Sequence, residues 1–176
     1  MSKLRGLVAS ERGYTLIELL QVTVILGVVL TGLTTLFVRA QNAQLDMNRR
    51  FVAQQDARLA VDRMRREIHC ARLVTPSGVS ASITVTLPGG CPTAGASEVT
   101  VVYATQSIGT NRYELRRNGV RVVDFVTLQN AFEYTAQSAS SLAKLRVTLP
   151  INTKPSELNR QWKLVADIVL RNSTRT

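Results

Sequence analysis

The chain changes near its N-terminus from a short basic stretch to a long apolar one. Residues 19–38 carry no charge over 20 consecutive positions. An α-helix rises about 1.5 Å per residue, so a helix of this length covers roughly 30 Å, the thickness of the hydrocarbon layer of a membrane. The pattern predicts a membrane-length helix.

The helical pattern continues beyond the apolar segment. No proline occurs from residue 14 to about residue 74, where Thr75-Pro76-Ser77-Gly78 supplies a stop signal. After Arg39, apolar residues recur at spacings of three, four and seven, which is typical of a helix that buries one face. The predicted buried stripe consists of Leu45, Phe51, Val52, Leu59, Val61, Met64, Ile68 and Ala71.

The opposite face of this second half-helix is charged. Asp46 precedes Arg50 by four residues, and Asp62 precedes Arg66 by four. Opposite charges at this spacing and in this order stabilise a helix, so we expect two ion pairs on the solvent side.

The remainder of the chain reads as short strands. Apolar and polar residues alternate or cluster in segments separated by turn residues, and Asn118-Gly119 predicts a two-residue hairpin turn. The predicted strands are 81–87, 99–104, 113–117, 120–126, 132–135, 144–149 and 162–171. Strands that follow one another without intervening helices predict an antiparallel sheet. The fold class is therefore α+β, with the amphipathic half of one long N-terminal helix packed on the sheet.

Glu18 lies directly before the uncharged apolar segment, one helical turn after Tyr14. A carboxylate at the centre of a bilayer costs about 2.5–3.5 kcal/mol on insertion scales, so an ionisable group beside such a span is a functional candidate. If the chain begins at Tyr14 after processing, the new α-amino group is a natural counter-charge for a Glu18. The alternative is that Glu18 lies at the headgroup boundary and needs no partner.

The run Gly13-Tyr14-Thr15-Leu16-Ile17-Glu18 resembles the processing motif of the type IV pilin and pseudopilin superfamily. The resemblance implies a pilin-like fold and cleavage after Gly13 by a prepilin peptidase on the cytoplasmic side. The new N-terminus, Tyr14, would be N-methylated, and Glu18 would pair with the N-terminal amine of a neighbouring subunit. Tyr14 stands where the family usually has Phe, a conservative change. Thr34 and Thr35 stand where many major pilins have a proline, and the absence of that proline favours a minor component.

Three later segments resemble the J-type minor pseudopilins of type II secretion and the related W-type minor pilins. They are residues 58–68, 113–117 and 169–172. The resemblance implies a subunit of a type II secretion pseudopilus or of a type IV pilus, with a place in a tip or initiation complex. The implied partners are other minor and major pilins or pseudopilins, the inner-membrane assembly platform and the lipid bilayer.

The domain organisation follows from these assignments. We expect a leader at 1–13, a transmembrane and filament-core helix at 14–40, and an exported globular domain at 41–176 with a half-helix at 41–74 and a β region at 81–171. Basic residues before the apolar run predict a cytoplasmic leader and an exported C-terminal portion across the bacterial inner membrane. A signal anchor of an extracytoplasmic protein with another function, bearing an accidental match, is the alternative.

Charge leaves a second functional alternative open. The formal net charge is +10, which is compatible with nucleic acid as a partner. No Lys/Arg run exceeds two residues, so we favour an ordinary solvated surface over a DNA-binding minor pilin of a DNA-uptake system.

The sequence offers no convincing enzyme site, metal site or cofactor. Ser141 and Lys144 fit a short Ser-x-x-Lys pattern without its companion motifs. The one histidine, His69, is expected to cap carbonyl groups or to face solvent. Cys70 and Cys91 lack metal-ligand spacing, but in an exported domain they can form a disulfide worth about 3 kcal/mol. Two free thiols are the alternative.

Overall fold

The computed structural model describes residues 13–154 and 157–171. The predicted leader, apart from Gly13, lies outside the described residues. The chain divides into two compact units, one that ends at Leu45 and one that begins at Asp46. Each unit is therefore treated by itself below.

One helix, α1, extends from Leu16 to Cys70. It ends four residues before the predicted end because the following residues join the sheet: the Arg72 amide donates to the Thr86 carbonyl at 2.9 Å, and a strand begins at Leu73.

Nine strands follow, and all of their pairings are antiparallel in the described residues. Their bounds are β1 Leu73–Thr75, β2 Gly78–Ser80, β3 Ser82–Leu87, β4 Val99–Gly109, β5 Arg112–Arg117, β6 Val120–Val126, β7 Phe132–Thr135, β8 Lys144–Ile151 and β9 Trp162–Val169. A short 3₁₀ turn, Leu158–Arg160, precedes β9. The predicted α+β class with an antiparallel sheet is confirmed.

The two strands at the ends of the sheet order are neighbours in the sequence. The strand order is β1-β3-β4-β5-β6-β8-β7-β2, and β9 pairs with β8. Only Pro76 and Ser77 separate β1 from β2, which lie at the two ends of this order. The segment that was expected merely to end the helix, residues 75–78, thus contains the last residue of β1 and the first residue of β2.

The predicted Asn118-Gly119 turn joins β5 to β6. Both residues have positive φ, 48° and 80°, as a two-residue hairpin turn of this kind requires. The turn is also held from outside, because the Asn118 side-chain oxygen accepts a hydrogen bond from the Val102 amide at 2.7 Å.

The buried face of α1 differs from the predicted stripe. Val61, Met64, Ile68 and the following Ala71 are buried as expected, but the other four predicted members, Leu45, Phe51, Val52 and Leu59, are exposed. Before Val61, the buried positions of this half of the helix are instead Ala53, Ala57 and Ala60. The prediction placed large residues inside, whereas small alanine side chains occupy these buried positions.

One of the two predicted helix ion pairs forms as expected. Arg50 Nη2 lies 2.7 Å from Asp46 Oδ2. Asp62, in contrast, pairs with Arg65 at 3.3 Å rather than with Arg66. Both spacings bring side chains to neighbouring positions on a helix surface, so the sequence alone does not choose between them.

Candidate functional site

The first turn of α1 is built by Thr15. The Thr15 carbonyl accepts a hydrogen bond from the Glu18 amide at 3.0 Å, and Thr15 Oγ1 lies 3.4 Å from the same amide. Thr at the N-cap followed three residues later by Glu is the capping-box pattern. Residues 13–15 therefore lie outside the helix, and the chain enters it at Leu16.

Glu18 occupies the first turn of the helix, where the partial positive charge of the backbone favours an anion. Its side chain is exposed and makes no ion pair within the described residues. The arrangement thus leaves the Glu18 carboxylate exposed, one turn from Tyr14.

The helix beyond Glu18 presents apolar side chains on every side. Every residue from 13 to 45 is exposed, including the leucines, isoleucines and valines of the apolar segment. The helix is long and apolar enough to cross a membrane, and none of its most apolar window is buried against this chain. Such a surface needs lipid or other apolar helices around it.

Four threonines in this segment satisfy their hydroxyl groups within the helix. Thr23, Thr31, Thr34 and Thr35 donate to carbonyl oxygens three or four residues earlier, at 2.8–2.9 Å. A hydroxyl group that is already bonded to the backbone can face an apolar environment at little cost. The threonines therefore do not interrupt the apolar surface.

A second polar constellation lies in the unit that begins at Asp46, around the buried carboxylate of Glu67, which is 2% exposed. Arg117 of β5 donates twice to it, from Nη2 to Oε1 at 2.8 Å and from Nε to Oε2 at 3.3 Å. Tyr103 Oη of β4 donates to Oε2 at 2.6 Å, and Thr93 Oγ1 donates to Oε1 at 2.9 Å. Arg63, one turn earlier on α1, lies 3.4 Å from Oε1. We call Glu67, Thr93, Tyr103 and Arg117 the Glu67 cluster.

The electrostatics of the Glu67 cluster follow from this geometry. Burial raises the pKa of Glu67, but the hydrogen bonds from Arg117, Tyr103 and Thr93 outweigh burial and lower it below its usual value. Burial, together with the hydrogen bond to the Glu67 carboxylate, strongly raises the pKa of Tyr103. Glu67 is thus held ionised and Tyr103 neutral, which makes the cluster a fixed connection between helix and sheet.

The loop after β3 is held to the end of α1 at two points. A disulfide joins Cys70 to Cys91, with 6.0 Å between their Cα atoms. Two residues further along the loop, Thr93 donates to Glu67. Because Glu67 and Cys70 are three residues apart on the helix, the covalent bond and the buried hydrogen bond fasten the same turn of α1.

The other sequence candidates have structural partners. His69 Nδ1 lies 2.9 Å from the Val169 carbonyl oxygen, so the histidine contacts a strand carbonyl and not the end of its own helix. Ser141 Oγ lies 2.7 Å from Ser138 Oγ, and Lys144 Nζ lies 3.9 Å from Asp167. The described residues contain no group of three or more His, Cys, Asp or Glu side chains that could hold a metal ion.

The Glu67 cluster was not predicted from the sequence, although the positions of Glu67 and Arg117 in the sequence indicate that each is at least partly buried. Glu67 stands on the buried face of α1 beside Met64 and Ile68, where a charged residue requires a buried partner. Arg117 lies two positions after the fully buried Leu115 on β5 and opposite Tyr103 of β4. The identity of each residue's partner is not contained in either pattern.

Comparison with known proteins assigns the N-terminal region alone. Residues 9–34 match the family model described as the prokaryotic N-terminal methylation motif. The match contains Gly13, Tyr14 and Glu18 and most of the apolar segment. No curated protein and no solved structure matches the chain.

Proposed function

We propose, on the premise that a chain with this methylation motif and this long apolar helix fits the type IV pilin and pseudopilin superfamily, that the protein is a minor pilin or pseudopilin. Its role is structural: it is a non-enzymatic subunit that is processed by a prepilin peptidase and assembled into a filament through its N-terminal helix. The helix anchors the unprocessed chain in the bacterial inner membrane, with the leader in the cytoplasm.

The observation that carries this proposal is the contrast between the two parts of α1. From Ala53 onward the helix buries a face against the sheet of its own chain, whereas the apolar residues from Leu16 to Val38 are all exposed. Burying a side chain of this size is worth about 1.5–3 kcal/mol, so a surface of this extent is covered in the working state. Lipid before assembly and neighbouring helices after assembly provide that cover.

The geometry of the first residues supports cleavage between Gly13 and Tyr14. Both residues are exposed and precede the Thr15 cap, so a peptidase can reach the bond without unwinding the helix. After cleavage and methylation, Tyr14 carries the new amine one turn from Glu18.

Glu18 then acts in assembly. Within one chain it has no cation in the described residues, so we assign its partner to the N-terminal amine of a neighbouring subunit. A charge pair in an apolar surrounding is favourable when both groups are present and costly when one is missing. The pair therefore fixes the axial position of one helix relative to the next.

A place in a tip or initiation complex is supported by the resemblance of residues 58–68, 113–117 and 169–172 to J-type pseudopilins and W-type minor pilins. A type II secretion pseudopilus and a type IV pilus both fit this role. A deletion strain separates them: loss of protein secretion indicates the first, and loss of twitching or DNA uptake indicates the second.

The charge of the exported part does not favour nucleic acid as the partner. In the described residues, Arg50, Arg63, Arg65, Arg72, Arg116, Arg117, Arg121, Arg146 and Arg160 each pair with a carboxylate of the same chain. The remaining net positive charge is not concentrated in one run, because no more than two Lys or Arg residues are consecutive in the sequence. We therefore do not propose DNA binding.

Mass spectrometry of the intact protein and of its N-terminal peptide, purified from native membranes, tests the proposed function. We expect a chain that begins at N-methylated Tyr14. A chain that begins at Met1 would indicate an ordinary signal anchor, and cleavage beyond Ala40 would indicate a secreted soluble protein. Either result would overturn the assignment.

A further inference from the structure

Strand β6 has a free edge. It pairs with β5 from Val120 to Val126, but its pairing with β8 is limited to Val126 opposite Ile151. From Val120 to Asp124, no backbone N–H or C=O group on the outer side of β6 is hydrogen-bonded within the described part of the chain. Backbone groups of this kind are the template on which another strand adds.

Phe125 marks the point where pairing with β8 stops. Its φ is 62°, in the left-handed region that a bulky residue rarely adopts. Two contacts hold it there: its carbonyl accepts a hydrogen bond from the Asn152 amide at 2.9 Å, and the Arg112 guanidinium lies 5.7 Å from the centre of its ring. The separation of β6 from β8 is thus built into the fold by a backbone conformation that the surrounding contacts hold in place.

A groove runs beside this edge. It is formed by residues 48–56 of α1 and residues 121–125 of β6 and encloses about 470 Å³. Val52, Ala53 and Val123 give it an apolar floor, and charged side chains form its rim. An apolar floor with a polar rim is the usual anatomy of a protein interface. We call this feature the β6 groove.

Two charges on the rim have no ion-pair partner in the described part of the chain. Arg121 and Asp124 pair with each other at 3.4 Å, but Arg49 and Asp56 make no ion pair within the described residues. Arg49 and Asp56 are seven positions apart on the helix, which corresponds to roughly 10 Å along its axis. An extended chain covers roughly the same distance in three residues.

We infer that an extended segment of a neighbouring subunit adds to β6 as a further strand in the β6 groove, with a carboxylate facing Arg49 and a basic side chain facing Asp56. Unpaired N–H and C=O groups along a strand are matched by another polypeptide backbone. The segment comes from a different protein, because a minor subunit of a tip or initiation complex has other subunits as its neighbours. The inference rests on the proposed function for the identity of the partner as a filament subunit.

Site-specific photo-cross-linking on the full chain in its native cells tests this inference. A photoreactive amino acid replaces Val120 on β6, and a matched variant carries it at Val79 on β2; both valines are about two-thirds exposed, at 68% and 65%. We expect an intermolecular adduct from position 120, in which the attached peptide belongs to another subunit and carries acidic and basic residues three to four positions apart. Position 79 should give little or none.

Reversing the charge of Arg49 is the second test of the inferred contact. Arg49→Glu should lower the yield of the adduct at position 120 about fivefold, as expected for the loss and reversal of one rim ion pair. Arg66→Glu, at an exposed position of the same helix that lines no part of the groove, should leave the yield unchanged.

Equal yields at positions 120 and 79, an adduct within one chain, an adduct between two copies of this chain, or an Arg49→Glu variant with unchanged yield would each overturn strand addition as inferred. The N-terminal mass measured on the same samples separates this outcome from failure of the proposed function. A processed chain without the adduct contradicts only the β6 inference, whereas an adduct on a chain that begins at Met1 contradicts only the filament assignment.

Discussion

Arg117 donates two hydrogen bonds to the carboxylate of Glu67. Its Nη2 lies 2.8 Å from Oε1, and its Nε lies 3.3 Å from Oε2. The two residues are 50 positions apart, one on α1 and one on β5. A planar guanidinium that meets a carboxylate through two hydrogen bonds fixes direction as well as distance. The contact therefore sets how this turn of the helix lies on the sheet.

Removal of the guanidinium should strongly destabilise the unit that begins at Asp46. Arg117→Ala leaves the buried Glu67 carboxylate with only the longer ion-pair contact to Arg63, and breaking a buried pair in this way costs about 3–5 kcal/mol. Denaturant unfolding of the chain in detergent, followed by fluorescence of its one tryptophan, Trp162, measures the loss. Arg146→Ala, which removes the exposed pair with Asp167, serves as the control and should change the midpoint far less. Equal losses in the two variants would mean that the Glu67 cluster adds nothing beyond an ordinary surface pair.

Stability should fall in acid because of Glu67. Its pKa is lower in the folded chain than the usual 4.5, so the folded state binds this proton less tightly than the unfolded state does. The contribution is present above the unfolded pKa and is lost as the pH falls through the folded pKa. A series of unfolding midpoints from pH 7 to pH 3 should therefore decline below about pH 4.5.

Glu67→Gln is the test of that assignment. Gln cannot titrate, so the variant should be less stable at pH 7 but should lose less stability between pH 5 and pH 3. Asp167→Asn, at an exposed carboxylate whose pKa is also lowered by Arg146, is the control for a surface group. An acid decline that is as steep in Glu67→Gln as in the unaltered chain would assign it to other carboxylates.

Loss of the Cys70–Cys91 bond should destabilise the same turn of α1. The bond closes a loop with a sequence separation of 21, for which chain entropy gives about 3 kcal/mol. The double variant Cys70→Ser/Cys91→Ser should lose this amount and should no longer respond to a reductant. Unfolding midpoints with and without dithiothreitol measure both effects; an unaltered chain that is insensitive to dithiothreitol would contradict the expectation.

The residues that were predictable from the sequence are those whose local pattern has one structural solution. Val120–Val126 and Phe132–Thr135 match their predicted bounds, and the Asn118-Gly119 turn has the expected positive φ values. Strands β1 and β2 were missed because each has three residues, too few for an alternation to be visible. Their formation depends on pairing with β3 and β7, which local sequence does not encode.

The Glu67 cluster was beyond sequence reasoning for a similar reason. Its members come from α1, the loop after β3, β4 and β5, and none is within 10 positions of another except Thr93 and Tyr103, which are 10 apart. A buried glutamate can be inferred from its place on the helix face, but its choice of Arg117 as partner follows from strand register. The N-terminal motif, by contrast, lies in one contiguous run of residues, so it can be recognised from the sequence alone.

The corrected helix face makes a prediction about packing. Ala57 is fully buried, so Ala57→Leu should force the helix away from the sheet and cost about 1–3 kcal/mol. Leu59 is 58% exposed, and Leu59→Ala should change the free energy of unfolding by about 0.5 kcal/mol or less. The two substitutions exchange the same residue types in opposite directions, and denaturant unfolding compares them. A larger loss of stability in Leu59→Ala than in Ala57→Leu would instead support the buried stripe that was expected from the sequence.

Glu18 should act in assembly and not in processing. Glu18→Ala keeps Gly13, Tyr14 and the Thr15 carbonyl bond at the helix start, so cleavage after Gly13 should remain largely intact. It leaves the neighbouring subunit's N-terminal amine without a partner in an apolar surrounding, and incorporation should fall roughly tenfold, equivalent to about 1.4 kcal/mol. The readouts are the N-terminal mass, the methylated fraction and the amount of protein in sheared filaments. Gln21→Ala, an uncharged change at an exposed position one turn further along, is the control. Incorporation of Glu18→Ala at the control level would show that Glu18 needs no partner and lies at the membrane surface alone.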